Sequence, residues 1–421
     1  MPRTSFLIEA QRNPSRRLTM KTTFNRSISI KAASIAASAA LVLALTGCAG
    51  LVTTAPAMIE GPALHGSAFG GRQPIAGATL YLYAASTGNY GTTNMNLLPA
   101  GTVTNADGTF NITSAYSCTT GQEMYMVSLG GDTGAGSVNP QAGLLIALGD
   151  CSVLHATPFI NMNEVTTVGS VFALAPFMTG YASVSTDGGN TPGLQRAFVN
   201  ANKLMTVGTG AAGGPALPAG ATAPTTEIYT LADVLAECVN TTGGTATTTT
   251  CGHLFADATP SGGTAPTNTI DLALAIAKNP ALNVSDEFSY ATPQSPYSTR
   301  LVHAPTDWTM SISYAAGFNA PKSTTIDASG QVWVANSGST GVNANSIVTL
   351  TQSGAVAQTL TGNGLTTPQA VAIDSNGNAL AANFGSTTVS AFTNGGSTLA
   401  SYTVGSGPRA LAFDAAGNLF V

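Results

Sequence analysis

Between residues 63 and 155 apolar and polar positions alternate with a period of two. Along residues 77–83, Leu80 and Leu82 face one way and Thr79, Tyr81 and Tyr83 the other, the pattern of a strand with one buried face. Thr102-Val103-Thr104 and Thr109-Phe110-Asn111-Ile112 flank Asn105-Ala106-Asp107-Gly108, and Asp-Gly between two such arms predicts a hairpin. Met124-Tyr125-Met126-Val127 reads as a further strand. From about residue 160 the period becomes helical. Val165, Val168, Phe172 and Ala175 share one face. Leu194, Phe198, Ala201 and Met205 follow a Thr191-Pro192 start, and Ile228, Leu231, Leu235 and Cys238 repeat the spacing. Ile270, Leu274 and Ala277 give a fourth helix that stops before Pro280.

Beyond residue 308 short β segments return as an internal repeat. Ile326-Asp327-Ala328-Ser329-Gly330, Ile373-Asp374-Ser375-Asn376-Gly377 and Phe413-Asp414-Ala415-Ala416-Gly417 align, and Pro321, Pro368 and Pro408 precede them in the same register. A period of about 40–50 residues with Asp-x-x-Gly turns is the mark of a propeller blade. Asp at the first position caps a tight turn, and Gly at the fourth takes the left-handed conformation such a turn needs. The third repeat is interrupted at Val421, with about two and a half repeats present where closure takes about 4–8 blades. The expectation is a piece of a longer chain, with closure between several chains as the rival.

These patterns carry two resemblances. Pro74-Ile75-Ala76-Gly77-Ala78, a strand, and then Asp107-Gly108-Thr109-Phe110 resemble the carboxypeptidase-regulatory-like (transthyretin-like) β-sandwich. That resemblance implies a small accessory domain without catalytic residues. The wording Ile-Asp-x-x-Gly-Asn-x-x-x-Ala-Asn from Ile373 to Asn383 resembles NHL-type propellers and streptogramin-lyase-like bacterial sequences. In those lyases the chemistry uses His and Glu side chains at the propeller centre with a divalent metal. The repeat region has neither His nor Glu, so the lyase activity does not transfer to this stretch.

The N-terminus changes the picture from fold to address. Lys21, Arg26 and Lys31 precede an uncharged apolar run, residues 32–45, which ends in Leu45-Thr46-Gly47-Cys48. This is an export-signal pattern, too short to span a bilayer as a helix, and Met20 would give it a normal length. Leu-Thr-Gly-Cys resembles the lipobox of bacterial lipoproteins. The resemblance implies diacylglyceryl on the Cys48 thiol, cleavage before Cys48 and, with Ala49 next, outer-membrane sorting. Of 421 residues only 8% are charged, and past residue 47 the chain has 7 basic and 18 acidic residues. That acidic balance excludes nucleic acid as a partner. With Cys48 assigned to lipid, Cys118, Cys151, Cys238 and Cys251 remain. Three disulfide connectivities are open, and proximity favours Cys118–Cys151 and Cys238–Cys251; a zinc site is disfavoured because close Cys or His pairs are lacking.

The sequence therefore predicts a multidomain chain. It has a lipoprotein signal at 1–47, a linker at 48–62, a β-sandwich at 63–155, a mainly α-helical region at 156–305 and an incomplete β-propeller at 306–421. His65, His155, His253 and His303 stand in separate contexts. His253 and Asp257, four apart, read as a solvated helix face. Gly208-Thr209-Gly210-Ala211-Ala212-Gly213 formally matches a dinucleotide motif, but it follows a helix rather than a strand and reads as a loop. Asp107 and Asp374 read as turn residues and not as metal ligands. The expected role is a membrane-anchored envelope protein whose repeats dock a protein or glycan, with no cofactor. The alternative is a propeller enzyme of lyase or lactonase type, its active site in blades absent from this sequence.

Overall fold

The computed structural model describes residues 57–421 other than 114, 157, 158, 298 and 316, together with the strand Leu7–Ile8. The apolar run at residues 32–45, read above as an export signal, and Cys48 lie outside the described residues. The chain divides into two compact units: Pro56–Phe318 with Thr349–Ala357, and Asn319–Val348 with Gln358–Val421.

In the first unit the alternating segments form strands as their pattern demands. Thr79–Ala84, Glu123–Leu129 and Gly143–Asp150 make a three-stranded antiparallel sheet, with Leu80, Leu82, Tyr125 and Val127 buried. Leu64–Gly70 pairs antiparallel with Thr109–Ile112 and parallel with Ile160–Met162. The expected hairpin is corrected here. Its turn forms, with Gly108 at φ +75° and the Asp107 carboxylate accepting from the Thr109 backbone N–H and hydroxyl. Its arms diverge, because Val103 only bridges to Thr79 whereas Thr109–Ile112 pairs with Leu64–Ser67. Each arm has its own partner strand, and those long-range pairings override the local turn signal.

Six helices follow: α1 (Glu164–Leu174), α2 (Thr191–Leu204), α3 (Thr225–Val239), α4 (Thr250–Asp257), α5 (Thr269–Lys278) and α6 (Val284–Phe288). The four helices expected from spacing are α1, α2, α3 and α5. The two short ones, α4 and α6, carry too few apolar positions for the period to register. Helix α1 is buried nearly all round, because it packs on strand Gly143–Asp150 and on α2, α3 and α5.

Strand Gly143–Asp150 lies at the edge of its sheet, so its outer N–H groups need partners. Helix hydroxyls supply them. Leu145 N–H donates to Thr167 Oγ1 (3.0 Å), Ala147 N–H to Ser170 Oγ (3.0 Å) and Gly143 N–H to Thr269 Oγ1 (2.9 Å). The β segment and the helical segment therefore share one hydrophobic core that runs from Leu64 to Trp308.

The second unit holds most of the repeat region. Pro321–Ile326, Val332–Asn336, Ser346–Leu350 and Val356–Leu360 form one four-stranded sheet, in chain order. Pro368–Ile373, Ala379–Asn383, Thr388–Phe392 and Thr398–Thr403 form the next, and Ala412–Phe413 pairs with Leu419–Phe420 after it. Successive sheets stack by their apolar faces. Trp333, Ala335 and Ile347 of the first pack with Val371, Ala379 and Phe392 of the second. Leu380, Val389 and Ala391 of the second pack with Leu419 and Phe413 beyond it. Meandering four-stranded sheets stacked in sequence order are a propeller-like arrangement.

Candidate functional site

Each repeat closes its first two strands with the turn expected from Asp-x-x-Gly. The three Asp side chains act alike: Oδ1 accepts from the backbone N–H two and four residues on. These donors are Ser329 and Gln331 to Asp327, Asn376 and Asn378 to Asp374, and Ala416 and Asn418 to Asp414 (2.8–3.0 Å). Gly330, Gly377 and Gly417 all have φ near +80°, where a Cβ is strained. The second carboxylate oxygen differs. Asn378 and Asn418 side chains donate to it in the later repeats, whereas the buried indole Nε1–H of Trp333 donates to Asp327 Oδ2 (2.9 Å). Burial raises the Asp327 carboxyl, but hydrogen bonds from Ser329, Trp333 and Gln331 outweigh it and hold the group below its usual value. All three predicted Asp residues are thus engaged in turns.

The opposite ends of the same strands carry a second repeated device, which the sequence reading missed. Asn336 and Asn383, fully buried, each end the second strand of a sheet. Their Oδ1 atoms accept from Asn319 N–H and Thr366 N–H (3.3 Å each). Their Nδ2 atoms donate to Ser346 Oγ and Ser390 Oγ. Immediately before Pro321, Pro368 and Pro408 stand Ala320, Thr367 and Gly407, all with positive φ (+50°, +42° and +66°). Glycine adopts this region freely, whereas a β-branched residue there is a genuine outlier. Only the third repeat has the residue type that would have signalled it. Nearby, Phe384 is 38% exposed, and the Arg409 guanidinium sits 4.3 Å from its ring centroid.

The first unit holds the predicted cysteines. Cys118 bonds to Cys151 and Cys238 to Cys251, the pairing that proximity favoured. Cys238 lies at the end of α3 and Cys251 in the first turn of α4. Two disulfides fit an exported protein, and no helix among the described residues is long and apolar enough to cross a membrane. Intact mass without reductant is expected to show no free thiol on Cys118, Cys151, Cys238 or Cys251. Replacing Cys238 and Cys251 together by Ser is expected to cost about 3 kcal/mol, read by denaturant unfolding; an unchanged midpoint would contradict the role.

His65, His155, His253 and His303 are all exposed and are not brought together. His65 lies edge-on to Phe159, and His253 sits on α4 with Asp257 at its C-terminal end. No group of three or more His, Cys, Asp or Glu able to hold a metal occurs among the described residues. Residues 208–213 form a loop, as read, in which Gly210 and Gly213 have positive φ.

Sequence periodicity gave no sign of the buried acids that meet Tyr297 and Trp308. Glu164, the first residue of α1, is fully buried. Its Oε2 accepts from the Tyr297 hydroxyl (2.7 Å) and the Gly71 N–H (2.9 Å), and Oε1 has no partner. Asp233 on α3, also fully buried, accepts from Tyr297 N–H (2.9 Å). Burial pushes Glu164 up to about 7 and Asp233 up to about 6. Glu287 on α6 is pushed by burial to about 7 and accepts from Trp308 Nε1–H (2.6 Å). Each of these acids ties the chain after α5 back onto a helix.

No family model matches the chain, and no curated protein matches it. Among solved structures the chain is similar to virginiamycin B lyase from Staphylococcus aureus, at 17% identity and TM-score 0.21 over 24% of this chain and 34% of that one. It is similar to a streptogramin B lyase at 18% identity and TM-score 0.22, over 25% of this chain and 35% of that one. A calcium-binding protein, regucalcin, from Agrobacterium tumefaciens matches at 13% identity and TM-score 0.20, over 27% of this chain and 48% of that one. The chain thus spans about a third of the length of the two lyases it matches.

Proposed function

We propose that this is an exported envelope protein, lipid-anchored through Cys48, whose propeller-like repeats serve as a docking surface. The observation that carries the docking reading is the left-handed backbone kept in register at Ala320, Thr367 and Gly407. Strained positions persist only where the surroundings hold them, and they cluster at ligand sites. The loops there present amide and hydroxyl groups and the Phe384–Arg409 pair. The Asp residues of the repeats are all held in turns on the far side, which supports recognition in place of catalysis. The lipobox-like Leu45-Thr46-Gly47-Cys48 supports the anchor, since diacylation and a new N-acyl chain would hold the protein on a membrane stably. Radiolabelled palmitate is expected to enter the full chain and to be lost entirely in Cys48→Ser. Label retained by that variant would remove the anchor from the proposal. For docking, Cys48→Ser protein is expected to be retained on washed cell envelopes and to lose most of that retention when Phe384→Ala and Arg409→Ala are added; equal retention with and without the double change would count against it.

A further inference from the structure

Residues 292–297 reach from the first residue of α1 to the second half of α3, and carboxyl groups hold them there. The Tyr297 hydroxyl donates to Glu164 Oε2 (2.7 Å), the Tyr297 N–H to Asp233 Oδ1 (2.9 Å) and the Ser295 hydroxyl to Glu237 Oε1 (3.4 Å). A fourth tie runs from the Arg72 guanidinium to Pro296 O (3.4 Å). Elsewhere the helices of this unit hold neighbouring backbone through groups that do not titrate. Thr230 Oγ1 accepts from Leu301 N–H (2.8 Å), and Thr167, Ser170 and Thr269 do the same for strand Gly143–Asp150. A hydroxyl can accept such a bond as well as a carboxylate can, so the use of three acids under one short segment sets these ties apart.

The acids have little counter-charge. Glu164 and Asp233 are fully buried, and Glu164 Oε1 and Asp233 Oδ2 have no hydrogen-bond partner. The charged group that bears on Glu164 is Asp233, of like sign, and Asp233 is faced in turn by Arg300 and Glu237. Tyr229 on α3 lies against the Tyr297 ring, 5.7 Å between centroids. Asp150 on the strand, Arg196 and Lys203 on α2, Glu227 on α3 and Asp271 and Lys278 on α5 belong to elements packed on α1, yet none of them bears on Glu164. A carboxyl buried away from cations keeps its proton, and burial raises Glu164 to about 7 and Asp233 to about 6. Lifting the segment would bring water to both unpartnered oxygens and return the two acids toward their ordinary range. Groups raised in the closed form favour it in acid and cease to favour it as pH rises through about 6 to 7. We propose that residues 292–297 form a pH-released strap, closed over the start of α1 in acid and lifted when Glu164 and Asp233 lose their protons, before the core beneath it opens. The device lies within the first unit and is independent of the anchor and of the repeats.

Hydrogen exchange on the full chain reads the strap at the Tyr297 amide. The Leu145 and Ala147 amides, held by α1 hydroxyls, report on the core. With the intrinsic pH dependence of exchange divided out, Tyr297 protection is expected to fall at least about 30-fold between pH 5 and pH 8. At pH 8 it is expected not to change in submolar urea, as a local opening requires, whereas Leu145 and Ala147 protection falls with urea. Glu164→Gln, which keeps an acceptor for Tyr297 but cannot ionise, is expected to abolish most of the fall. Equal Tyr297 protection at the two pH values, a fall that matches Leu145 and Ala147 in size and urea dependence, or an undiminished fall in Glu164→Gln would each overturn the strap. The wild-type comparison alone decides the first two outcomes, so the test stands whether or not the variant folds.

Discussion

Raising the pH from about 5 to about 8 is expected to destabilise the chain, and Glu164→Gln is expected to remove a large share of that loss. Glu164 is fully buried, and burial raises its carboxyl from 4.5 to about 7 in the folded state. A raised acid binds its proton more tightly folded than unfolded. Its contribution is therefore complete below the unfolded value of 4.5 and is lost as pH rises through about 7. A shift of that size corresponds to about 3 kcal/mol. Gln at this position keeps an oxygen to accept from Tyr297 and Gly71 but cannot ionise. The variant should match the wild type near the acid end and exceed it by about 3 kcal/mol at the alkaline end. Asp233, Glu237, Tyr297 and Arg300 surround the site and remain in both proteins. Urea unfolding at the two pH values decides: an equal loss at both would mean that the carboxyl does not titrate with folding. Glu123, raised to about 8 by burial and by Asp150, and Glu287 should leave a residual slope of the same sign.

Asp327→Ala is expected to be far more damaging than Asp414→Ala, although the two occupy the same place in the repeat. Asp327 is 6% exposed and its carboxylate collects four hydrogen bonds, from Ser329 N–H and Oγ, Gln331 N–H and the Trp333 indole. Removing it leaves a fully buried indole N–H without a partner beside the core that joins the first two sheets. Hydrogen bonds to charged groups and the penalty for a buried orphan together suggest about 4 kcal/mol. Asp414 is exposed and its partners can turn to water, so only a small loss is expected. Denaturant midpoints of the two variants give the comparison. Similar losses would show that the turn itself, and not its link to Trp333, carries the energy.

Much of the architecture could be read from residue order, and the reasons differ by element. The Asp-x-x-Gly turns were legible because backbone geometry there admits few residue types, and each glycine stands at φ near +80°. The helices α1, α2, α3 and α5 were legible from spacing. The pairing of the four cysteines followed from short loops. What periodicity could not reveal was partnership across the chain. Thr167, Ser170 and Thr269 look like indifferent helix positions, yet they complete the edge of strand Gly143–Asp150 and weld the β and helical segments together. Glu164 reads as an ordinary first-turn acid at a helix start, and only its burial under Tyr297 makes it sensitive to pH. The strained positions escaped notice because Ala320 and Thr367 are not the residues that such a backbone usually selects.

The parallel pairing of Leu64–Gly70 with Ile160–Met162 sets an order of events in time. A chain made from its N-terminus first presents Leu64–Gly70 long before its second neighbour exists, since Ser67 and Asn161, joined by a side-chain hydrogen bond, are 94 residues apart. Thr109–Ile112 can cover one edge early. The other edge must wait. Pairings of such long range close slowly, so the interval before the last strand docks is when this part of the chain is most open to wrong partners.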